Sequence, residues 1–115
     1  MTMVPISSTF DISSARNLLR QRIAKKNWLP PFRARATTSL TLMAELILLS
    51  QKPGTLDVSI LAREGEQGVE LKCDLVDDGH ILRTHEYHDL EGLVDSVKAY
   101  DRDGHIHLVA QLWLS

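Results

Sequence analysis

The apolar residues of this chain repeat at one period before Lys52-Pro53-Gly54 and at another after it. Up to that break they recur every three or four residues, which is the spacing of a helix face. Beyond it they mostly alternate, which is the spacing of a strand with one buried side. A chain ordered this way has to lay helices on a half-buried sheet, so the expected class is α+β, a two-layer α/β sandwich. Its 115 residues suffice for one core and not for two.

The elements follow from the same patterns. Val4 to Phe10 reads as a short strand, and Pro5, which lacks a ladder donor, places it at a sheet edge. Asp11 offers a helix cap, and Ile12, Ala15, Leu19 and Ile23 recur at helical spacing up to about Lys26. Asn27 to Pro31 breaks that helix, with Pro31 suited to the first turn of the next. The second helix, roughly Pro31 to Ser50, carries two apolar stripes. Ala36, Leu40, Met43, Ala44 and Ile47 form one, and Leu42, Leu46 and Leu49 form another nearly opposite. A helix apolar on both sides is either sandwiched in the core or offered to a partner.

After the break, Leu56, Val58, Ile60 and Ala62 and then Val69, Leu71, Cys73 and Leu75 alternate with mostly polar residues around a turn at Glu64 to Gly68, predicting a hairpin. Ile81 to His88 reads as an irregular connection. Leu90, Leu93, Val94 and Val97 predict a short helix from Leu90 to about Tyr100 with Asp89 as its cap. Asp101-Arg102-Asp103-Gly104 is a turn, and His105 to Leu114 is the last strand. Strand, helix, helix, hairpin, helix, strand implies a mixed sheet.

Charge is distributed unevenly. Seven basic residues and no acid lie between Arg16 and Arg35, while the rest of the chain carries six basic and fifteen acidic residues. Arg16, Arg20, Lys25 and Lys26 on the first helix are therefore candidates for docking an acidic protein. Nucleic acid is disfavoured because few aromatic residues are interleaved to stack on bases. The opening Met1-Thr2-Met3-Val4-Pro5 has no basic residue ahead of an apolar run, and no stretch reaches the length of a membrane span, so a cytoplasmic protein without a secretory signal is expected. The single cysteine, Cys73, reads as a small buried hydrophobe, and a reducing compartment suits a chain with no disulfide.

Two clusters have the residue types for chemistry. His80, His85 and His88 lie among Asp77, Asp78, Glu86 and Asp89, but at spacings that match no metal site, so a solvated loop is expected and no metal. A metal-dependent enzyme built on these histidines is the outlying alternative. Asp77-Asp78-Gly79 follows a strand. A carboxylate there can accept from an exocyclic amine, and Gly79 lets the backbone approach a planar ligand. Nothing orients any serine for nucleophilic attack.

The run from Phe10-Asp11-Ile12 through Ala15-Arg16 and Ala24-Lys25 to Arg35-Ala36-Thr37-Thr38-Ser39-Leu40 resembles the anti-sigma and switch-protein serine kinases of bacterial partner-switching modules. Leu90 to Trp113 looks like the last helix, turn and strand of that family. The resemblance implies a reduced histidine-kinase-like ATPase fold over residues 1–115 and a homodimer, and it makes Asp77 and Gly79 a remnant of an adenine site. It also puts Leu42 where the family has its activating glutamate and Leu46 where it has its Mg²⁺-binding asparagine. The glycine-rich phosphate lid is missing, with Arg83 to Asp89 in its place. A triphosphate needs Mg²⁺, N–H donors and cations around it. The expectation is thus a non-catalytic, pseudo-ATPase regulatory domain with no cofactor. Leu42, Leu46, Leu49 and the basic first helix would bind an acidic regulatory or sigma-like protein. The alternative within the same fold is an ATP-dependent serine/threonine kinase using Glu45.

Overall fold

The computed structural model describes residues 3–114, so Met1 and Thr2 of the expected non-secretory start lie outside the described residues. Strand β1 (Val4–Ile6) leads into helices α1 (Phe10–Ile23) and α2 (Pro30–Leu49). The hairpin β2 (Gly54–Arg63) and β3 (Glu66–Val76) follows, then a 3-10 turn (His80–Arg83), helix α3 (His85–Leu93), and a second hairpin of β4 (Ser96–Arg102) and β5 (His105–Trp113). The strands form one five-stranded sheet in the order β1-β2-β3-β5-β4, and every neighbouring pair is antiparallel. The expected mixed sheet is therefore corrected to an antiparallel one.

The α+β class stands, and the core lies where the periodicity puts it. Ala15, Leu19 and Ile23 of α1, with Ala36, Leu40, Met43, Ala44 and Ile47 of α2, are buried. They join Leu56, Val58, Val69, Leu71, Cys73 and Leu75 and the alternate residues Ile106, Leu108, Ala110 and Leu112 of β5 in one apolar cluster. Cys73 is fully buried, and burial pushes its thiol up to about 12, so it is packing and not a nucleophile. No helix among the described residues is long and apolar enough to cross a membrane.

Three local expectations change. The first strand stops at Ile6, because Ser7 and Ser8 bend back onto the Asp11 carboxylate, which accepts from Ser7 N at 2.8 Å and Ser8 N at 3.0 Å. Asp11 thus sits inside the first turn of α1 and not at its cap, and those backbone donors, Ser7 first, hold its carboxyl below the usual carboxylate range. The stretch expected to be irregular contains most of the 3-10 turn and the first turn of α3. Thr84 caps α3, its Oγ1 accepting from Tyr87 N at 3.3 Å.

The expected helix from Leu90 to Tyr100 is half helix and half strand. α3 ends at Leu93 and β4 begins at Ser96. The reason is the turn that follows. Asp103 and Gly104 take φ values of 55° and 81°, as Glu64 and Gly65 take 53° and 83° between β2 and β3. Two consecutive left-handed residues match the twist of a two-residue hairpin, so Asp103-Gly104 folds the segment before it onto β5. A latch fixes the α3–β4 junction: Arg35 Nε donates to Leu93 O, and its NH2 pairs with Asp95 Oδ1 at 3.3 Å. Asp95 Oδ2 in turn accepts from Trp113 N at 2.6 Å.

Candidate functional site

Asp77 and Gly79, the expected adenine remnant, are adjacent on the loop leaving β3. Asp77 N donates to Gly104 O at 2.9 Å, tying this loop to the β4–β5 turn. Its Oδ2 accepts from Gly79 N at 3.0 Å and Ile81 N at 2.8 Å, while Asp78 Oδ1 accepts from His80 N at 3.1 Å. Gly79, at φ 96°, occupies backbone space that a side chain would strain. One oxygen of the Asp77 carboxylate is thus used to close its own loop. An open depression of about 540 Å³ lies beside it, bounded by Leu49 at the end of α2, by the turn through Lys52 that follows, and by Asp77, Asp78 and His80.

The second stripe of α2 does not form one surface. Leu46 is 0% exposed and belongs to the core, which corrects its expected role as a partner-binding residue. Its helix packs against α1, α3 and the sheet. Leu42 is half-buried and lines a separate cleft of about 440 Å³ between α2 and α3, with Thr38, His88 and Leu93. Leu49 is 47% exposed and borders the Asp77 depression. Leu42 and Asp77 therefore open into different cavities.

The basic residues of α1 lie on its outer side, because Ala15, Leu19 and Ile23 face the core. Arg16 and Arg20 are exposed on α1, whereas Lys25, exposed, and Lys26, half-buried, lie in the turn after it, which corrects their expected place on the helix. Arg16 Nε donates to Thr41 Oγ1 at 3.1 Å and Arg20 NH1 to Asn17 Oδ1 at 3.1 Å. Both partners are neutral, so the arginines are positioned without losing their charge. Among the described residues, none of these four cations forms an ion pair. Arg20 also lines, with Arg33 and Thr37, a cleft of about 360 Å³ between α1 and α2. Arg35, by contrast, belongs to the latch.

No protein-family model matches this sequence, and no curated protein matches it.

The histidines are spread along α3 and the turn before it. His85 Nε2 contacts Asp89 at 3.3 Å and His88 Nδ1 contacts Glu91 at 3.3 Å, both within one helical turn on an exposed face. Among the described residues, no three His, Cys, Asp or Glu side chains come together around a possible ion. Glu45 is half-buried on α2 and lines neither the Asp77 depression nor the Leu42 cleft. One feature escaped the sequence reading, and another was legible only in part, through His105 and His107 two residues apart on one face of the last strand. Leu29, extended at the N-cap of α2 and 72% exposed, opens a small apolar cleft with Phe32 and Trp113. The Leu29-Pro30-Pro31 run was its signal, since proline holds the preceding residue extended. The other is a polar cluster on the outer sheet face, where alternation in β3, β4 and β5 projects Asp74, Tyr100, His105 and His107 to one side.

Proposed function

We propose that this chain is a non-catalytic regulatory domain that binds an acidic protein, a cytoplasmic, degenerate relative of the partner-switching serine kinases on a reduced histidine-kinase-like ATPase fold. The observation that carries this reading is the basic surface at α1: Arg16 and Arg20 project from the helix, Lys25 and Lys26 from the turn that follows it, and none of the four has an ion-pair partner among the described residues. Such a field steers an anionic partner and fixes its orientation more than it adds affinity. The interior position of Leu46 supports the non-catalytic part, since an aliphatic side chain sealed in the core cannot coordinate Mg²⁺. Leu42 cannot activate a hydroxyl, and one oxygen of the Asp77 carboxylate is bonded to two amides of its own loop.

The test is fluorescence anisotropy with a labelled oligoglutamate peptide and a single-stranded oligonucleotide of equal charge. The peptide binds at low salt, and the triple variant Arg16→Glu, Arg20→Glu, Lys25→Glu weakens it at least about tenfold, or roughly 1.4 kcal/mol. Binding untouched by charge reversal, or a clear preference for the oligonucleotide, removes the acidic-protein reading. Titration calorimetry with Mg-ATP gives no saturable heat in the micromolar range. Micromolar binding weakened by Asp77→Ala would instead put the kinase alternative first.

Self-association belongs to the same proposal. The sheet has two margins: β1, three residues with Pro5 among them, and β4, seven residues long. A second copy pairs more readily along the longer margin, because proline removes a ladder donor from the other. Light scattering over a concentration series gives the dimer mass. A monomer mass at every concentration eliminates the homodimer and leaves the acidic-partner surface standing.

A further inference from the structure

The outer face of the sheet carries a constellation that the acidic-partner reading does not use. His107 on β5 lies in cross-strand register between Asp74 of β3 and Tyr100 of β4. His105, two residues back on the same face, lies opposite Arg102 of β4. Same-face residues two apart on a strand are about 7 Å apart and neighbouring strands about 4.8 Å, so Tyr100, Arg102, His105 and His107 form the corners of a small quadrilateral. Together with Asp74 they line a cavity of about 340 Å³.

The chemistry of these groups is complementary. Asp74 Oδ1 meets His107 Nδ1 at 2.5 Å. A carboxylate can only accept, so Nδ1 carries the proton and Nε2 is the nitrogen left for a ligand. Arg102 forms no ion pair among the described residues, which leaves its planar fork of donors unclaimed. The Tyr100 ring stands 6.3 Å from the His107 ring, tilted by 38°, and Tyr100 is 54% exposed. Lys98 lies one step further along the same face of β4 and adds positive charge. Of the acids nearby, Asp74 lines the cleft with one oxygen committed to His107, Glu70 pairs with Lys72 at 3.3 Å, and Asp101 shares the register of buried Ile106 on the opposite face.

The sign of the ligand is decided by Arg102. A fixed cation directly across from His105 opposes a divalent metal on the two imidazoles and favours an anion. Among small anions, a hydrogen phosphate group matches the donor set best. Its oxygens take the two parallel N–H bonds of an arginine fork. Its P–OH can donate to a neutral Nε2, its P–O⁻ can accept from a protonated one, and a further oxygen can meet the Tyr100 hydroxyl. We propose that this outer-face cleft binds a phosphate monoester, with Arg102 as the principal charge, His105 and His107 as hydrogen-bonding side chains, Tyr100 as a stacking face, and Asp74 as the residue that positions His107.

NMR of the imidazole resonances on the full chain tests it, with inorganic phosphate and phenyl phosphate as probes. Both probes shift His105 and His107 saturably and leave His80, His85 and His88 unmoved. Phenyl phosphate binds more tightly than inorganic phosphate, because its ring can lie against Tyr100. Arg102→Gln weakens binding at least about tenfold, and Arg102→Lys, which keeps the charge and loses the fork, falls between. Asp74→Asn lowers affinity less and broadens the His107 resonance as the ring loses its fixed orientation. Shifts that chloride reproduces at equal ionic strength, shifts shared by all five histidines, or an Arg102→Gln variant that binds normally each overturn the proposal. A tighter fit for inorganic phosphate than for phenyl phosphate overturns the monoester assignment. None of these residues lies on the α1 surface, so failure here is distinguishable from failure of the acidic-partner reading.

Discussion

Leu46→Asn destabilises the domain by about 4 kcal/mol or more and creates no magnesium site. Leu46 is 0% exposed in the last turn of α2, within the apolar cluster. Truncating a leucine in such a position costs about 2–5 kcal/mol through lost burial and the space left behind. Asparagine refills part of that space, but its amide enters an apolar cluster with no partner in reach, which costs a further 1–3 kcal/mol or so. Against a total stability of about 5–15 kcal/mol, the folded population falls sharply. Urea titration followed by far-UV circular dichroism reads this as a shift of the midpoint to lower denaturant. Leu42→Glu, at a half-buried site on the rim of the α2–α3 cleft, costs clearly less. A Leu46→Asn protein as stable as the parent would place Leu46 at the surface and return it to the set of partner-binding candidates.

Gly68→Ala is expected to be the most damaging single-methyl change in the sheet. A Cβ at Gly68 would stand 2.2 Å from the carbonyl oxygen of Leu112 and 3.1 Å from the Cα of Trp113. Both obstacles are backbone, and Gly68 pairs directly with Trp113, so no side-chain rotation relieves the clash. The β3–β5 ladder has to open at that end, taking with it the bond from Leu114 N to Gln67 O at 2.9 Å. Overpacking of this kind costs about 3 kcal/mol. Gly92→Ala is the control with the opposite sign. A Cβ there meets nothing within 4 Å, and Gly92 lies inside α3, where alanine is the better helix former by about 0.8–1.0 kcal/mol. Thermal unfolding of the two variants beside the parent should bracket it, Gly68→Ala below and Gly92→Ala above. Equal melting temperatures for Gly68→Ala and the parent would mean that β3 and β5 do not pair at Gly68.

The latch around Arg35 shows why part of the candidate surface could not be read from the sequence. Arg35 closes the run of seven basic residues, and by composition it is one more cation on a basic corner. In the fold its guanidinium reaches Leu93 O and Asp95, sixty residues away in the chain, and its charge is compensated there. Arg16 and Arg20 find only neutral partners. Which cations stay uncompensated depends on which acids the fold brings near, and nothing local encodes that.

Local patterns determined the elements whose burial is one-sided. The i, i+3, i+4 spacing of Ala15, Leu19 and Ile23 and the alternation of Leu71, Cys73 and Leu75 can each be satisfied by one geometry, so the sequence alone determined α1, the first hairpin and β5. For Leu90, Leu93, Val94 and Val97 the helical and extended arrangements both bury apolar side chains over so short a span. There the tie was broken by β5, which offers a free ladder edge once Asp103 and Gly104 turn the chain back. The two stripes of α2 posed the same kind of question. The helix cannot state whether Leu46 faces solvent or α3, because its own period is indifferent to what packs against it. Only the packing of α1, α3 and the sheet around α2 decided that Leu46 is interior and that Leu42 and Leu49 open into separate clefts.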